Sequence, residues 1–253
     1  MQSLVGNAVV PRAVFQEPAP HPVRGMVVAM WICLFDIDGT LIQTGGAGKA
    51  ALFEALRTGF DVGQPTDRVS IHGRTDRGIT RDLFQHHGID DRPEHWERFR
   101  AEYLRHLPVC LTARPGAVLP GIMPLLQQLQ ARQDIMLGLL TGNTQAGAAI
   151  KLRHYGLDRF FEFGGFGDEH HDRNDVAREA LQIVQQRLGG PADLDRVWVI
   201  GDTPGDVRCG RAIGARVLAV ATGDSSADEL VASSPDHLAQ DLADLEGVLS
   251  LWT

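Results

Sequence analysis

The sequence predicts a doubly wound α/β fold with a parallel sheet and one inserted helical segment. Short, continuously apolar runs alternate with amphipathic helical stretches, the pattern of parallel strands covered on both faces. Carboxylates or a threonine follow directly on three of those runs, at what such a fold makes one edge of the sheet. The first run and the second are parted by a long interval, residues 45–114, whose periodicity is helical.

The elements follow in order. Residues 1–25 carry Pro11, Pro18, Pro20 and Pro22, which break any regular element, and they read as a disordered tail. The stretch lacks the basic start and unbroken apolar core of a secretory signal, and Met26 and Met30 stand as alternative starts. The first strand is expected at Trp31–Ile37. Helices follow at Ala47–Thr58, Asp76–His87 and Pro93–Leu107, with Pro93 suited to a first helical position. Trp96, Phe99, Tyr103 and Leu107 fall on one side of the third, as expected for packing between inserted helices. The chain re-enters through "RPGAVLPGIMPLLQQLQ" into a strand at Ile135–Leu140. A helix over Asn143–Tyr155 ends at Gly156, a strand is expected at Phe160–Gly164, and a helix over Asp175–Leu188 is closed by Gly189, Gly190 and Pro191. Strands at Val197–Ile200 and Val217–Ala221 complete the sheet. The expected division is a core of residues 26–44 and 115–253 and an inserted helical domain of 45–114.

The 253 residues are 43% hydrophobic and 22% charged, a globular composition. A net charge of −8 argues against a nucleic-acid partner, and no apolar run approaches the length of a membrane span. The three cysteines are widely spaced with no CxxC, which fits free thiols in a reducing compartment and a cytoplasmic protein. Only two lysines occur, Lys49 and Lys151.

The strand tips carry the chemistry. "WICLFDIDGT" ends in Asp36 and Asp38, two close carboxylates whose repulsion a divalent cation relieves. Mg²⁺, which prefers hard oxygen ligands, is the natural choice. "LGLLTGNT" places Thr141 before Gly142 and Asn143 at a helix start, where a hydroxyl and free N–H groups form an anion cradle. "VWVIGDTPGD" supplies Asp202 and Asp206, and Arg173 in "GDEHHDRNDVAREAL" stands just before a helix.

DxDGT at Asp36–Thr40, LLTGN at Leu139–Asn143, the basic Arg173 and GDTPxD at Gly201–Asp206 resemble, in kind and order, the four motifs of the haloacid dehalogenase superfamily. The resemblance runs from Ile32 to the C-terminus and is strongest to phosphoglycolate-phosphatase-type hydrolases with a helical (C1-type) cap. It implies a Rossmann-like core, a cap over 45–114 and Mg²⁺-dependent hydrolysis of a phosphomonoester. It makes Asp36 the nucleophile that becomes an aspartyl-phosphate, and Asp38 the general acid and then base, with only its backbone carbonyl on the metal. Asp202 is implied as a direct Mg²⁺ ligand, and Asp206 as a ligand directly or through water. Thr141, with the Gly142 or Asn143 backbone, is implied to bind the phosphoryl group. Arg173 stands where many relatives carry Lys. Its other reading is a helix-start residue paired with Asp172 or Asp175, and mid-helix Lys151 is the weaker candidate for the cation.

In the expected cap, Arg74 and Lys49 are candidate substrate contacts. Surface salt-bridging for Arg74 and a solvated helix position for Lys49 are the alternatives. Asp76 reads as a helix N-cap, Gly45, Gly46 and Gly48 as a hinge, "DEHHD" as a polar loop, and His86 and His87 as helix-end residues. The substrate expected is a small anionic phosphomonoester, phosphoglycolate being one candidate, in a monomer or homodimer with no membrane partner. Asp38 argues against the dehalogenases and against Schiff-base phosphonate chemistry through Lys49. A sugar-phosphate phosphomutase and a non-catalytic module of the same fold remain as alternatives.

Overall fold

Two apolar alternations in one strand set the architecture. In β1 (Trp31–Phe35), Cys33 and Phe35 point into one core layer and Ile32 and Leu34 into the other, so both faces of the strand are covered. The computed structural model describes residues 30–253; the expected tail over 1–25 and the alternative start at Met26 lie outside the described residues. After β1 come β2 (Ile42–Gln43), α1 (Ala47–Phe60), α2 (Asp76–His86), α3 (Pro93–Ala113) and β3 (Ala117–Val118). Then follow α4 (Ile122–Gln130), β4 (Ile135–Leu140), α5 (Gln145–His154), β5 (Gly164–Gly165), α6 (Arg173–Leu188), β6 (Val197–Gly201) and α7 (Pro204–Ala212). The chain ends with β7 (Arg216–Val220), α8 (Ala227–Ala232), β8 (His237–Ala239) and α9 (Leu245–Leu249).

The six-stranded sheet has the order β5-β4-β1-β6-β7-β8, with every neighbouring pair parallel. The order reverses at β1, so its carboxyl end is the switch point beside which doubly wound sheets hold ligands. The same alternation continues outward. Trp198 and Ile200 of β6 and Leu218 and Val220 of β7 share a layer with α4, α5 and α9, while Val199 and Val217 share the other with α6 and α7.

The interval between β1 and β4 forms a helical group with its own core. Leu52 and Leu56 of α1, Leu83 and Phe84 of α2, and the Trp96, Phe99, Tyr103, Leu107 stripe of α3 pack together. The stripe continues to Leu111, and α3 runs six residues beyond the expected Leu107, through Pro108. Leu111 is buried on the same stripe, and that burial offsets part of the cost of the backbone bond that Pro108 cannot donate. The group leaves and rejoins the sheet through an antiparallel ribbon in which Ile42 faces Val118 and Gln43 faces Ala117.

Other differences are local. A 3₁₀ turn takes Asp158–Phe160, where a strand is expected to begin, and the strand itself is reduced to Gly164–Gly165. Asp76 is not the cap of α2: Thr75 is, accepting the Gly78 N–H at 3.0 Å, and Asp76 holds the first helical position. The three cysteines are free. Among the described residues no helix is long and apolar enough to cross a membrane.

Candidate active site

Register brings the strand tips level. Phe35 lies between Leu139 of β4 and Ile200 of β6, so Asp36, Thr141 and Asp202 leave the sheet at one rim. The Asp36 N–H is held by the Ile200 carbonyl at 2.9 Å. Gly39 (φ +83°) turns the loop that follows, and a Cβ there would sit 2.4 Å from an Asp202 carboxylate oxygen. Gly223 closes on the same carboxylate, since its Cβ would fall 1.7 Å from Asp202 Oδ2. Thr40 donates its hydroxyl to Asp202 Oδ1 at 3.0 Å, and Thr222 donates to the Gly39 carbonyl at 2.6 Å. The glycine and threonine after Asp38 thus hold Asp202 in place.

Asp36, Asp202 and Asp206 are buried, and their oxygens lie within 4.8 Å of one another. Burial raises the Asp36 carboxyl to about 6 against the pull of Arg173, with Asp206 and Asp38 adding to the rise. Burial likewise raises Asp202 to about 8, with Asp206 and Asp36 adding to it. Such a set resists being charged on its own and suits a small hard cation. The all-oxygen donors, their mutual approach and the cradle of Gly39 and Gly223 fit Mg²⁺. Asp38 is not part of this group: its side chain, 41% exposed, turns away toward α5.

Arg173 opens α6 behind the Asp172 cap, which accepts the Asn174 N–H at 2.9 Å. Its Nη2 reaches Asp36 Oδ2 at 3.0 Å and Asp206 Oδ1 at 2.5 Å. The local pairings with Asp172 and Asp175 do not form; Asp175 pairs with Arg178 instead. Asp206 is fully engaged, since its Oδ2 also accepts the Thr203 N–H and hydroxyl in a capping box that starts α7. Thr141 is buried at the same rim, and its hydroxyl accepts the Asn143 N–H at 3.3 Å and the Asn143 Nδ2–H at 2.9 Å.

Lys151 is the residue that sequence reasoning underrated. It is 4% exposed, and its Nζ lies 2.5 Å from Asp38 Oδ2 and 2.6 Å from Asn143 Oδ1. The available signal was its spacing from Asn143: eight residues, about two helical turns, on a chain with two lysines. Asn143 uses its side chain as well as its backbone, donating Nδ2–H bonds to Asp38 Oδ2 at 2.8 Å and Thr141 Oγ1 at 2.9 Å.

The helical group roofs this rim. Asp76 N–H donates to the Gly142 carbonyl at 2.7 Å, and Asp76 Oδ2 accepts the Thr144 N–H at 2.8 Å. Gly142 has no room for a side chain, because a Cβ would lie 1.9 Å from the Arg74 carbonyl. A cavity of about 180 Å³ remains between roof and rim, below the ~300–1,000 Å³ typical of drug-sized sites. Lys49 and Arg74 reach its wall, each already paired: Lys49 with Asp67 at 2.7 Å and Arg74 with Asp82 at 2.6 Å. The "DEHHD" loop forms no metal group among the described residues; Asp168 accepts the Gln145 N–H at 2.7 Å and His170 lies 3.1 Å from Glu179. His87 accepts the Thr66 N–H at 3.2 Å.

The family model of the haloacid dehalogenase-like hydrolases matches residues 31–214. Among curated proteins, the phosphoglycolate phosphatase of Rhodospirillum rubrum is 28% identical over 200 residues, covering 76% of this chain and 80% of that protein. The pyrophosphatase PpaX of Oceanobacillus iheyensis is 24% identical over 227 residues, covering 84% of this chain and 93% of that protein. Among solved structures, CbbY of Rhodobacter sphaeroides in complex with phosphate shares the fold with a TM-score of 0.68 at 20% identity, covering 88% of this chain and 100% of that one.

Proposed function

This chain belongs to the haloacid dehalogenase-like hydrolase family, and on that ground we propose that it is a phosphatase acting on a small phosphorylated metabolite through an aspartyl-phosphate. The observation that carries the reading is the meeting of Asp36, Thr141, Arg173 and the Asp202–Asp206 pair at one buried rim. The relatives named phosphoglycolate phosphatase and pyrophosphatase support the phosphatase class.

In this reading Asp36 attacks phosphorus and the ester oxygen departs with a proton from Asp38; water then cleaves the acyl phosphate, giving its proton back to Asp38. Arg173 and the Thr141 hydroxyl, both buried at the rim, offset charge on the phosphoryl oxygens. Asp36 and Asp202, with Asp206 beside them, would hold Mg²⁺, which would supply electrostatic neutralisation of the phosphoryl group. The helical group acts as a cap that excludes water and sizes the leaving group. The small cavity favours a short monoester, and phosphoglycolate fits that class.

Asp36→Asn is expected to abolish phosphate release from p-nitrophenyl phosphate, and chelation of Mg²⁺ to abolish it in the unaltered protein. Turnover that survives both changes defeats the mechanism.

A further inference from the structure

Both donors that reach the Asp38 carboxylate land on one of its oxygens. Lys151 Nζ and Asn143 Nδ2 lie 2.5 Å and 2.8 Å from Oδ2, and among the described residues no hydrogen bond reaches Oδ1. Lys151 is itself fixed from three sides. Asn143 Oδ1 accepts from it, the buried Leu152 and Ala148 anchor its helix, and Gly48 of α1 passes so close that an added Cβ would touch Nζ at 3.4 Å. Asn143 in turn donates to Thr141, which leaves the sheet beside Asp36. A continuous set of hydrogen bonds therefore joins Lys151, Asp38, Asn143 and Thr141 without passing through Arg173.

We infer that Lys151 is the positioning residue of Asp38: it ties down Oδ2, keeps the side chain turned from the Asp36–Asp202–Asp206 group, and leaves Oδ1 as the oxygen that passes the proton. The inference rests on the reading of Asp38 as the acid and base of a phosphatase. The two cations then divide the work. Arg173 serves the phosphoryl side, bridging Asp36 and Asp206, while Lys151 serves the leaving-group side. In the first step the Asp36–phosphorus bond forms, the bond from phosphorus to the ester oxygen breaks, and that oxygen takes the proton from Asp38 Oδ1. The lysine charge stabilises the carboxylate left behind. In the second step a water proton returns to Oδ1 as the water oxygen bonds phosphorus and Asp36 is released.

Leaving-group dependence tests this. A simple alkyl phosphate needs its departing oxygen protonated, whereas p-nitrophenyl phosphate releases a stable phenolate and needs little help. In Lys151→Met, kcat/KM is expected to fall by roughly 10²-fold or more for the alkyl ester, the scale of a positioned acid. The fall for p-nitrophenyl phosphate is expected to be at least about tenfold smaller. Asp38→Asn should show the same bias, and adding Lys151→Met to it should add no further bias. Lys151→Gln, which retains a neutral donor one bond shorter, is measured alongside and should show a weaker bias; it carries the test alone if the Met variant lacks a native circular dichroism spectrum. Equal losses on the two esters, or a bias that deepens in the double variant, overturn the inference, because Lys151 would then contact the phosphoryl group or act on the fold. An unaltered protein that hydrolyses neither ester defeats the functional reading itself, so the two failures are distinguishable.

Discussion

Asp76 shows how much a single buried carboxyl reports. Burial raises it to about 6 from the usual 3.8, against the pull of Lys151 and of the Thr144 N–H bond. The folded protein therefore holds the proton more tightly than the unfolded chain does. Stability from this group is complete below pH ~3.8 and is lost as pH rises through about 6. Asp76→Asn keeps an acceptor for Thr144 and removes the titration. The stability of the unaltered protein relative to this variant is expected to drop by up to about 3 kcal/mol between pH 4 and pH 7. Urea unfolding of both proteins across that range checks it, and a flat difference contradicts it. At this scale the strand-tip residues Asp36, Thr141, Asp202 and Asp206 were legible, because residue type and order alone mark them. Lys151 was marked only by its eight-residue spacing from Asn143, since nothing in its immediate neighbours distinguishes a lysine on a solvated helix face from one whose helix turns it inward. Asp76 was misread as a cap because Thr75, one residue earlier, competes for the same role with the better geometry.

Among the elements, the turn after β4 bears the tightest constraint. Gly142 faces the Arg74 carbonyl with no room for a methyl group, and its own carbonyl takes the Asp76 N–H at 2.7 Å. Gly142→Ala is expected to push the α2 start off the rim and lower kcat/KM by roughly tenfold or more, since a ~1 Å displacement near the chemistry has that scale. Its melting temperature should move far less than its turnover; steady-state kinetics with a thermal melt separates the two. Element positions in the core were legible wherever an apolar run exceeded four residues, as in β1, β4 and β6. The short β8 at His237–Ala239 escaped notice because three edge residues with a histidine carry no run to read. β5 is short because the 3₁₀ turn at Asp158–Phe160 takes its expected start, and the pair that remains is glycine because a Cβ on Gly164 would lie 2.7 Å from Leu139 Cβ.

At the scale of the whole molecule, three buried carboxylates balanced by one arginine store repulsion that folding must overcome. Mg²⁺ that binds only the folded chain stabilises it by about 2.7 kcal/mol at a hundred times its Kd. That corresponds to a rise of roughly 5–10 °C in Tm for a protein of this size. Asp202→Asn should melt at nearly the same temperature with and without the ion; an undiminished rise in that variant contradicts the assignment. The sheet and the helical group were each legible, the latter from the length and helical period of the interval between β1 and β4. The contacts that seat one on the other were not, because they join residues far apart in sequence: Asp76 with Thr144, and His72 with Asp224 at 2.9 Å.

The ribbon of Ile42 and Gln43 against Val118 and Ala117 has a consequence for timing. Both crossings of the chain between sheet and roof run through these paired residues, so a rigid swing of the roof would have to turn about this ribbon and release the Asp76 and His72 contacts at the rim. For the proposed hydrolysis, a roof so hinged would set the pace of both entry and exit, which a viscosity dependence of kcat would expose.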